Sequence, residues 1–296
     1  MLGLELLDNR AVAVAIDDTG RVLGRAAVAS KELASATLAT LEGAAGGSAG
    51  SAAGLGVAAT YPESPECAAV LKAIGVRYTG PFLQEGAVAS GTAAAVAEAW
   101  IGAARGARDV VFFAVEEHTS AGILREGAPL VGAHRRAPAV AWLALNPVER
   151  EDYRKTGCLE AEVAAAGIVR RLVWRIKAGD RSRVQDAVSG DFAAITVNHV
   201  LDAARGGDGV SISVVRDTAK YLGMAAANLV ALADPAVLVL GGIMASAADL
   251  LLEPVRLELA RRVPPGMMQT LTIVPAALGA DAAAIGAARL ATAALQ

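Results

Sequence analysis

Two adjacent carboxylates followed by a histidine, Glu116-Glu117-His118, separate two β-rich runs, Val110–Val115 and Thr119–Leu124. Glu116 at a strand end could ligate magnesium through oxygen; the alternative is that the pair caps the strand and faces solvent. Glu5 lies inside the first strand-like run, and Glu160 stands where a helix begins, a place whose dipole favours a carboxylate in any case. Arg135-Arg136 could hold an anion through paired donors, or form a solvated loop. Gly241-Gly242 end an apolar strand, where glycine permits close approach of backbone to ligand and equally makes a tight turn. Ser90 and Thr92 precede a helical run and read as caps. Cys158 is one thiol with no neighbouring histidine, which cannot build a four-ligand zinc site, so it reads as a small buried apolar residue. No metal-ligand spacing links His118 to His134.

The elements that must position these groups are legible from pattern. Strands are expected at Leu2–Leu7, Ala11–Ile16 and Val22–Ala29, with Asp8-Asn9 and Asp17-Asp18-Thr19-Gly20 as turns. A helix from Lys31 to Gly43, a Gly/Ser linker at Gly46–Gly54 and a buried strand at Leu55–Ala59 follow. Helices are expected at Pro65–Ile74 and Gly91–Ala104, the second ending in an Arg-Gly stop. Beyond Cys158 helices dominate, the longest at Val210–Leu232 and stopped by Asp234-Pro235. Strand Ala236–Leu240, helix 247–262, strand Leu271–Val274 and helix 280–295 close the chain. Antiparallel strands followed by α/β alternation indicate a two-lobed α/β protein.

With 296 residues the chain can bury a sizeable core. A net charge of −3 argues against nucleic acid or anionic membrane as partner, and no helix-turn-helix precedes the first strand. Two cysteines, Cys67 and Cys158, make no disulfide framework, and no signal peptide is evident, so a cytoplasmic protein is expected. The longest apolar run, Pro235–Ala248, is too short to cross a bilayer.

The stretch from Glu98 through Val115-Glu116-Glu117-His118-Thr119-Ser120-Ala121-Gly122 to Gly132-Ala133-His134 resembles, without a gap, the ROK family of repressors and sugar kinases. Leu201–Asp208, Asn228–Pro235, Val237–Gly242, Ile273–Ala276 and Ile285–Ala288 resemble the family in the same order, so the resemblance covers essentially the whole chain. It implies an actin-like ATPase/sugar-kinase fold of two ribonuclease-H-like lobes, here 1–96 with a returning helix 280–296, and 97–279.

Set against the family pattern, residue by residue, the phosphate-handling positions differ. The glycine-rich turn reads Glu116-Glu117-His118, and the first-strand hairpin reads Leu7-Asp8-Asn9-Arg10 after Glu5. A carboxylate about 4 Å from a phosphate oxygen costs on the order of 4 kcal/mol at an effective dielectric near 20. Ser90 occupies the family's catalytic-base position, and loss of a general base lowers rate roughly 10²–10⁴-fold. Ala139 and Trp142 replace a sugar-binding Glu and a zinc-binding His, and the cysteine-rich zinc segment is reduced to Gly157-Cys158-Leu159-Glu160, so no structural zinc is expected. Glu160 matches the last sugar-binding carboxylate, and Gly241-Gly242 the turn on the adenine side.

The resemblance therefore implies a pseudokinase, a sugar- or ligand-binding, regulatory or partner subunit. Two alternatives stand. One is an active ATP- and magnesium-dependent hexose or N-acetyl amino-sugar kinase, with its base and metal ligand rebuilt from Glu5, Glu116 or Glu117. The other is a different enzyme class that holds an anionic substrate on Arg135-Arg136. Pairing is expected, as a homodimer or with an active paralogue.

Overall fold

The computed structural model describes residues 1–30, 32–46 and 54–293. Strands β1 (Leu2–Leu6), β2 (Arg10–Ile16) and β3 (Val22–Ala29) form an antiparallel meander. Leu7 N–H donates to Arg10 O (2.8 Å) across the Asp8-Asn9 turn, the ordinary hairpin expected from that pair. β4 (Leu55–Ala59) then pairs parallel with β1, and β5 (Val88–Ala89) parallel with β4, completing the order β3-β2-β1-β4-β5. The five residues of β4 are all buried, as a strand covered on both faces requires.

β6 (Val110–Val115), β7 (Thr119–Arg125), β8 (Ala128–Pro129), β9 (Val237–Gly242) and β10 (Thr272–Pro275) form a second sheet in the order β10-β9-β6-β7-β8. The fourteen apolar-rich residues of Pro235–Ala248 thus become a strand and a short helix, Ile243–Ser246. The longest helix runs Gly209–Ala233, capped by the Asp208 carboxylate on Ser211 N–H and stopped at Asp234 in the left-handed region before Pro235.

Compactness divides the chain into two units. The first comprises Met1–Phe112, Ala121–Pro138 and Ala276–Gln296. In it the final helix, Ala282–Ala293, packs Ala284, Ile285 and Ala288 against Val14 and Ile16 of β2 and Ala97 of the helix Ser90–Trp100. The second comprises Phe113–Ser120 and Ala139–Pro275.

Some expected boundaries move. The helix expected from Lys31 runs Leu33–Ala45, while Lys31 and most of the Gly46–Gly54 linker lie outside the described residues. The helix expected to reach Ala104 stops at Trp100. There the Glu98 carboxylate turns back onto the chain and accepts Ala103 N–H (2.7 Å), replacing the backbone acceptor that a further turn would have supplied. No helix among the described residues is long and apolar enough to cross a membrane.

Candidate functional site

In the second unit the glycine-poor turn is a tight link between β6 and β7. Glu116 N–H donates to His118 O (2.9 Å), and Glu116 O accepts Ala165 N–H (2.9 Å). Glu116 and Glu117 are both exposed. Gly242, at the end of β9, lies against this turn with φ +60°, and a Cβ there would stand 2.1 Å from Val115 O and 2.9 Å from Glu116 Cγ. The two segments read from sequence as flanking a nucleotide are therefore in contact, and only glycine fits the contact.

Glu160 sits in the first turn of the helix Cys158–Val163 and is 5% exposed. Its Oε2 accepts Thr119 N–H (2.9 Å) and Thr119 Oγ1–H (3.1 Å), while His118 Nδ1 lies 3.1 Å from Oε1. Burial pushes this carboxyl up, and the hydrogen bonds from His118 and Thr119 outweigh it, holding the group below the usual carboxylate range. An ionised Glu160 requires the His118 proton on Nδ1. Two backbone donors of the turn, Glu116 N–H and Thr119 N–H, are thus engaged by the protein itself. Gly157 (φ +91°) starts the Glu160 helix beside Ala141 O, next to the residues Ala139 and Trp142 that replace the expected sugar and zinc ligands. Trp142 is 57% exposed, and Cys158 is buried.

In the first unit Ser90 opens the helix Ser90–Trp100 but does not cap it. Ala89 is the N-cap, because its pairing in β5 keeps it extended (ψ 134°), and neither Ser90 nor Thr92 makes a capping bond. Ser90 Oγ and Thr92 Oγ1 are buried with no hydrogen-bond partner among the described residues. The helix start is pressed onto β7 where Gly91 and Gly122 meet: a Cβ on Gly122 would stand 2.2 Å from Gly91 O. Glu98, fully buried, accepts Ala277 N–H (3.0 Å) and Leu278 N–H (2.9 Å) besides Ala103 N–H. Its carboxylate is a strut between this helix and the approach to the last one.

The remaining expected residues lie elsewhere in the first unit. Glu5 is buried in β1, opposite Val12 and Ala58. A cavity of about 320 Å³ opens at the carboxyl ends of β1 and β4, lined by Asp8, Thr60, Tyr61, Glu66 and Cys67 among others. Ligands of open α/β sheets bind at such strand ends. The Cys67 thiol there is pushed up to about 11 by burial, which leaves it protonated and inert. Arg135 pairs with Glu85 (2.9 Å) and Arg136 with Glu63 (2.8 Å), all exposed. The two guanidiniums therefore have carboxylates as partners, which suits the solvated-loop alternative better than an anion site.

The sequence points to Glu160 and to His118 separately, but not to their pairing or to Thr119. Thr119 and His118 are forty-one and forty-two residues away, and only the pairing of a strand edge with a helix start brings them together. Among the described residues no group of three or more His, Cys, Asp or Glu side chains could hold a metal ion.

The ROK family model matches residues 87–294. A glucokinase of Halalkalibacterium halodurans is 31% identical over 65% of this chain and 59% of its own length, and one of Thermotoga maritima is 26% identical over 65% and 61%. The chain thus matches about 60% of the length of these curated relatives. The DNA-binding regulator NagC of Escherichia coli is 28% identical over 53% of this chain and 38% of its own length. Among solved structures, a ROK family glucokinase from Streptomyces griseus in complex with glucose and AMPPNP superposes with a TM-score of 0.80 at 23% identity over 99% of both chains. A ROK hexokinase from Thermus thermophilus does so with 0.74 at 23% identity, over 100% of this chain and 98% of its own. The fold is the actin-like α/β fold of ROK glucokinases.

Proposed function

Because the chain belongs to the ROK family and has a sugar-kinase-like fold, we propose that it is a pseudokinase: a ROK protein that keeps a sugar-binding carboxylate and has lost phosphoryl transfer. The observation that carries this reading is Ser90. At the position where the resemblance expects the catalytic base stands a buried hydroxyl with no partner among the described residues. A serine becomes a base or nucleophile only with another base beside it.

Two further features support the same reading. A phosphate cradle needs backbone N–H groups free to face the anion, and in the 116–119 turn two of them already serve His118 O and Glu160. The same turn presents two carboxylates where phosphoryl transfer relies on positive charge to stabilise the transferred group. Glu160, ionised and already anchored, is the residue that would accept sugar hydroxyls. Gly241 and Gly242 would remain as the vestige of the adenine-side turn. The protein would then act as a cytoplasmic sugar-sensing or partner subunit, self-associated or paired with an active paralogue. Its net charge of −3 offers no attraction to nucleic acid.

The second reading, an active kinase for a hexose or N-acetyl amino sugar, is favoured by the exposed Glu117 beside Glu116, a carboxylate of the kind that ligates magnesium. Calorimetry on the full chain separates the two. Glucose, N-acetylglucosamine and N-acetylmannosamine are titrated, then Mg·ATP. The proposal expects saturable heat from at least one sugar, its loss in Glu160→Ala with unchanged circular dichroism, and none from Mg·ATP. Saturable Mg·ATP binding contradicts it, and unchanged sugar affinity in Glu160→Ala removes Glu160 as a ligand.

A further inference from the structure

A second cavity, about 510 Å³, lies wholly in the second unit, within the size range of small-molecule sites. Arg170, Arg171 and Trp174 reach it from the helix Ala165–Lys177, and Asp217, Lys220 and Tyr221 from the helix Gly209–Ala233. Spacings of three and four residues put each trio on one helical face.

Its wall is cationic and cross-linked by ion pairs. Glu162, 5% exposed, accepts from Arg150 Nη1 (3.0 Å), Arg171 Nη2 (2.6 Å) and Tyr153 OH (2.5 Å). Asp152 takes both Arg150 (2.7 Å) and Arg170 (2.6 Å). The guanidiniums of Arg150 and Arg170 each lie 5.1 Å from the Trp174 ring, in cation–π contact. Lys220 pairs with Asp217, and Arg262 and Arg261 share Glu258. Five cations, Arg150, Arg170, Arg171, Lys220 and Arg262, thus line the cavity against two lining carboxylates, Glu162 and Asp217, and counting their further partners Asp152 and Glu258 still leaves a surplus of one positive charge.

Lys220 and Arg262 retain donor capacity. Among the described residues the Lys220 ammonium donates to Asp217, and the Arg262 side chain donates through Nη1 to Glu258. Trp174, half exposed, with Leu145 and Met224, adds an apolar surface, and Asn146 and Tyr221 add polar groups suited to hydroxyls.

We propose that this cavity binds a phosphomonoester of a polyol, a hexose phosphate in chemical class, with its phosphate on Lys220 and Arg262 and its body against Trp174. The net positive lining favours an anion such as a phosphomonoester, and the volume exceeds what inorganic phosphate fills. A guanidinium fork is suited to phosphate oxygens. The site uses none of Ser90, Glu160 or Gly242, so it stands whether or not the reading of those residues does.

The test is calorimetry and tryptophan fluorescence on the full chain with glucose 6-phosphate, glucose and inorganic phosphate. Glucose 6-phosphate is expected to bind saturably and more tightly than inorganic phosphate, with affinity falling as salt rises. A Lys220→Gln/Arg262→Gln double variant should bind it at least about tenfold more weakly, as loss of hydrogen bonds to a charged group implies. Both side chains are partly exposed and lie outside the Glu162 network, so the variant should keep native circular dichroism and the glucose response, whereas Glu160→Ala should keep the hexose-phosphate response. Trp174→Phe should abolish the fluorescence change. Absence of saturable hexose-phosphate binding, unchanged affinity in the double variant, or inorganic phosphate binding as tightly as the ester would each overturn the proposal.

Discussion

Glu160 and Glu162 stand two residues apart on the helix Cys158–Val163, equally buried, and are satisfied in opposite ways. Glu160 is held by a backbone amide, a threonine hydroxyl and an imidazole. Glu162 is held by two guanidiniums and a tyrosine hydroxyl. Burial alone therefore does not tell what a carboxylate is for. The Glu162 cluster fastens Arg150 and the helix Ala165–Lys177 together by charge pairing, whereas hydrogen bonds from His118 and Thr119 hold Glu160 below the usual carboxylate range.

That contrast can be broken in measurable ways. Glu162→Ala leaves Arg150 and Arg171 without their buried counter-charge and should destabilise the protein by about 3 kcal/mol in urea unfolding. A loss below about 1 kcal/mol would put Glu162 among ordinary surface pairs. Gly242→Ala, with a Cβ pressed on Val115 O at positive φ, should cost roughly 2 kcal/mol in the same assay.

Glu160→Gln keeps the volume and loses the charge, and should cost about 1–2 kcal/mol at neutral pH. Its pH dependence has a defined sign. Glu160 is depressed in the folded protein, so its contribution is full above the ordinary carboxylate value near 4.5 and fades as pH falls below it. Urea midpoints across the acid range should show a steeper decline for the wild type than for Glu160→Gln; parallel curves would detach Glu160 from acid stability. Arg135→Gln and Arg136→Gln, which break exposed pairs, should each change stability by less than about 0.5 kcal/mol.

The strands and the long helix were legible because alternation and caps are local: Asp8-Asn9 makes its hairpin, and Asp234-Pro235 stops Gly209–Ala233. Hydroxyl capping is a local rule and points to Ser90, but the extended pairing of Val88–Ala89 with β4 starts the helix one residue earlier and makes Ala89 the N-cap. Glu98 shows the same limit. Nothing near it in sequence announces that Ala277 and Leu278, about 180 residues on, donate to it. The Arg150–Glu162–Arg171 cluster is not legible in the sequence because its members fall before one helix, in a second and in a third, and only their packing joins them.

The most direct test of the account is ADP release in a coupled assay with purified full-length chain, Mg·ATP and a panel of hexoses and N-acetylated amino sugars. The account predicts no turnover above the enzyme-free background for any sugar. Sugar-dependent turnover above that background would contradict it, and turnover that survives in Ser90→Ala would identify a group other than Ser90 as the base.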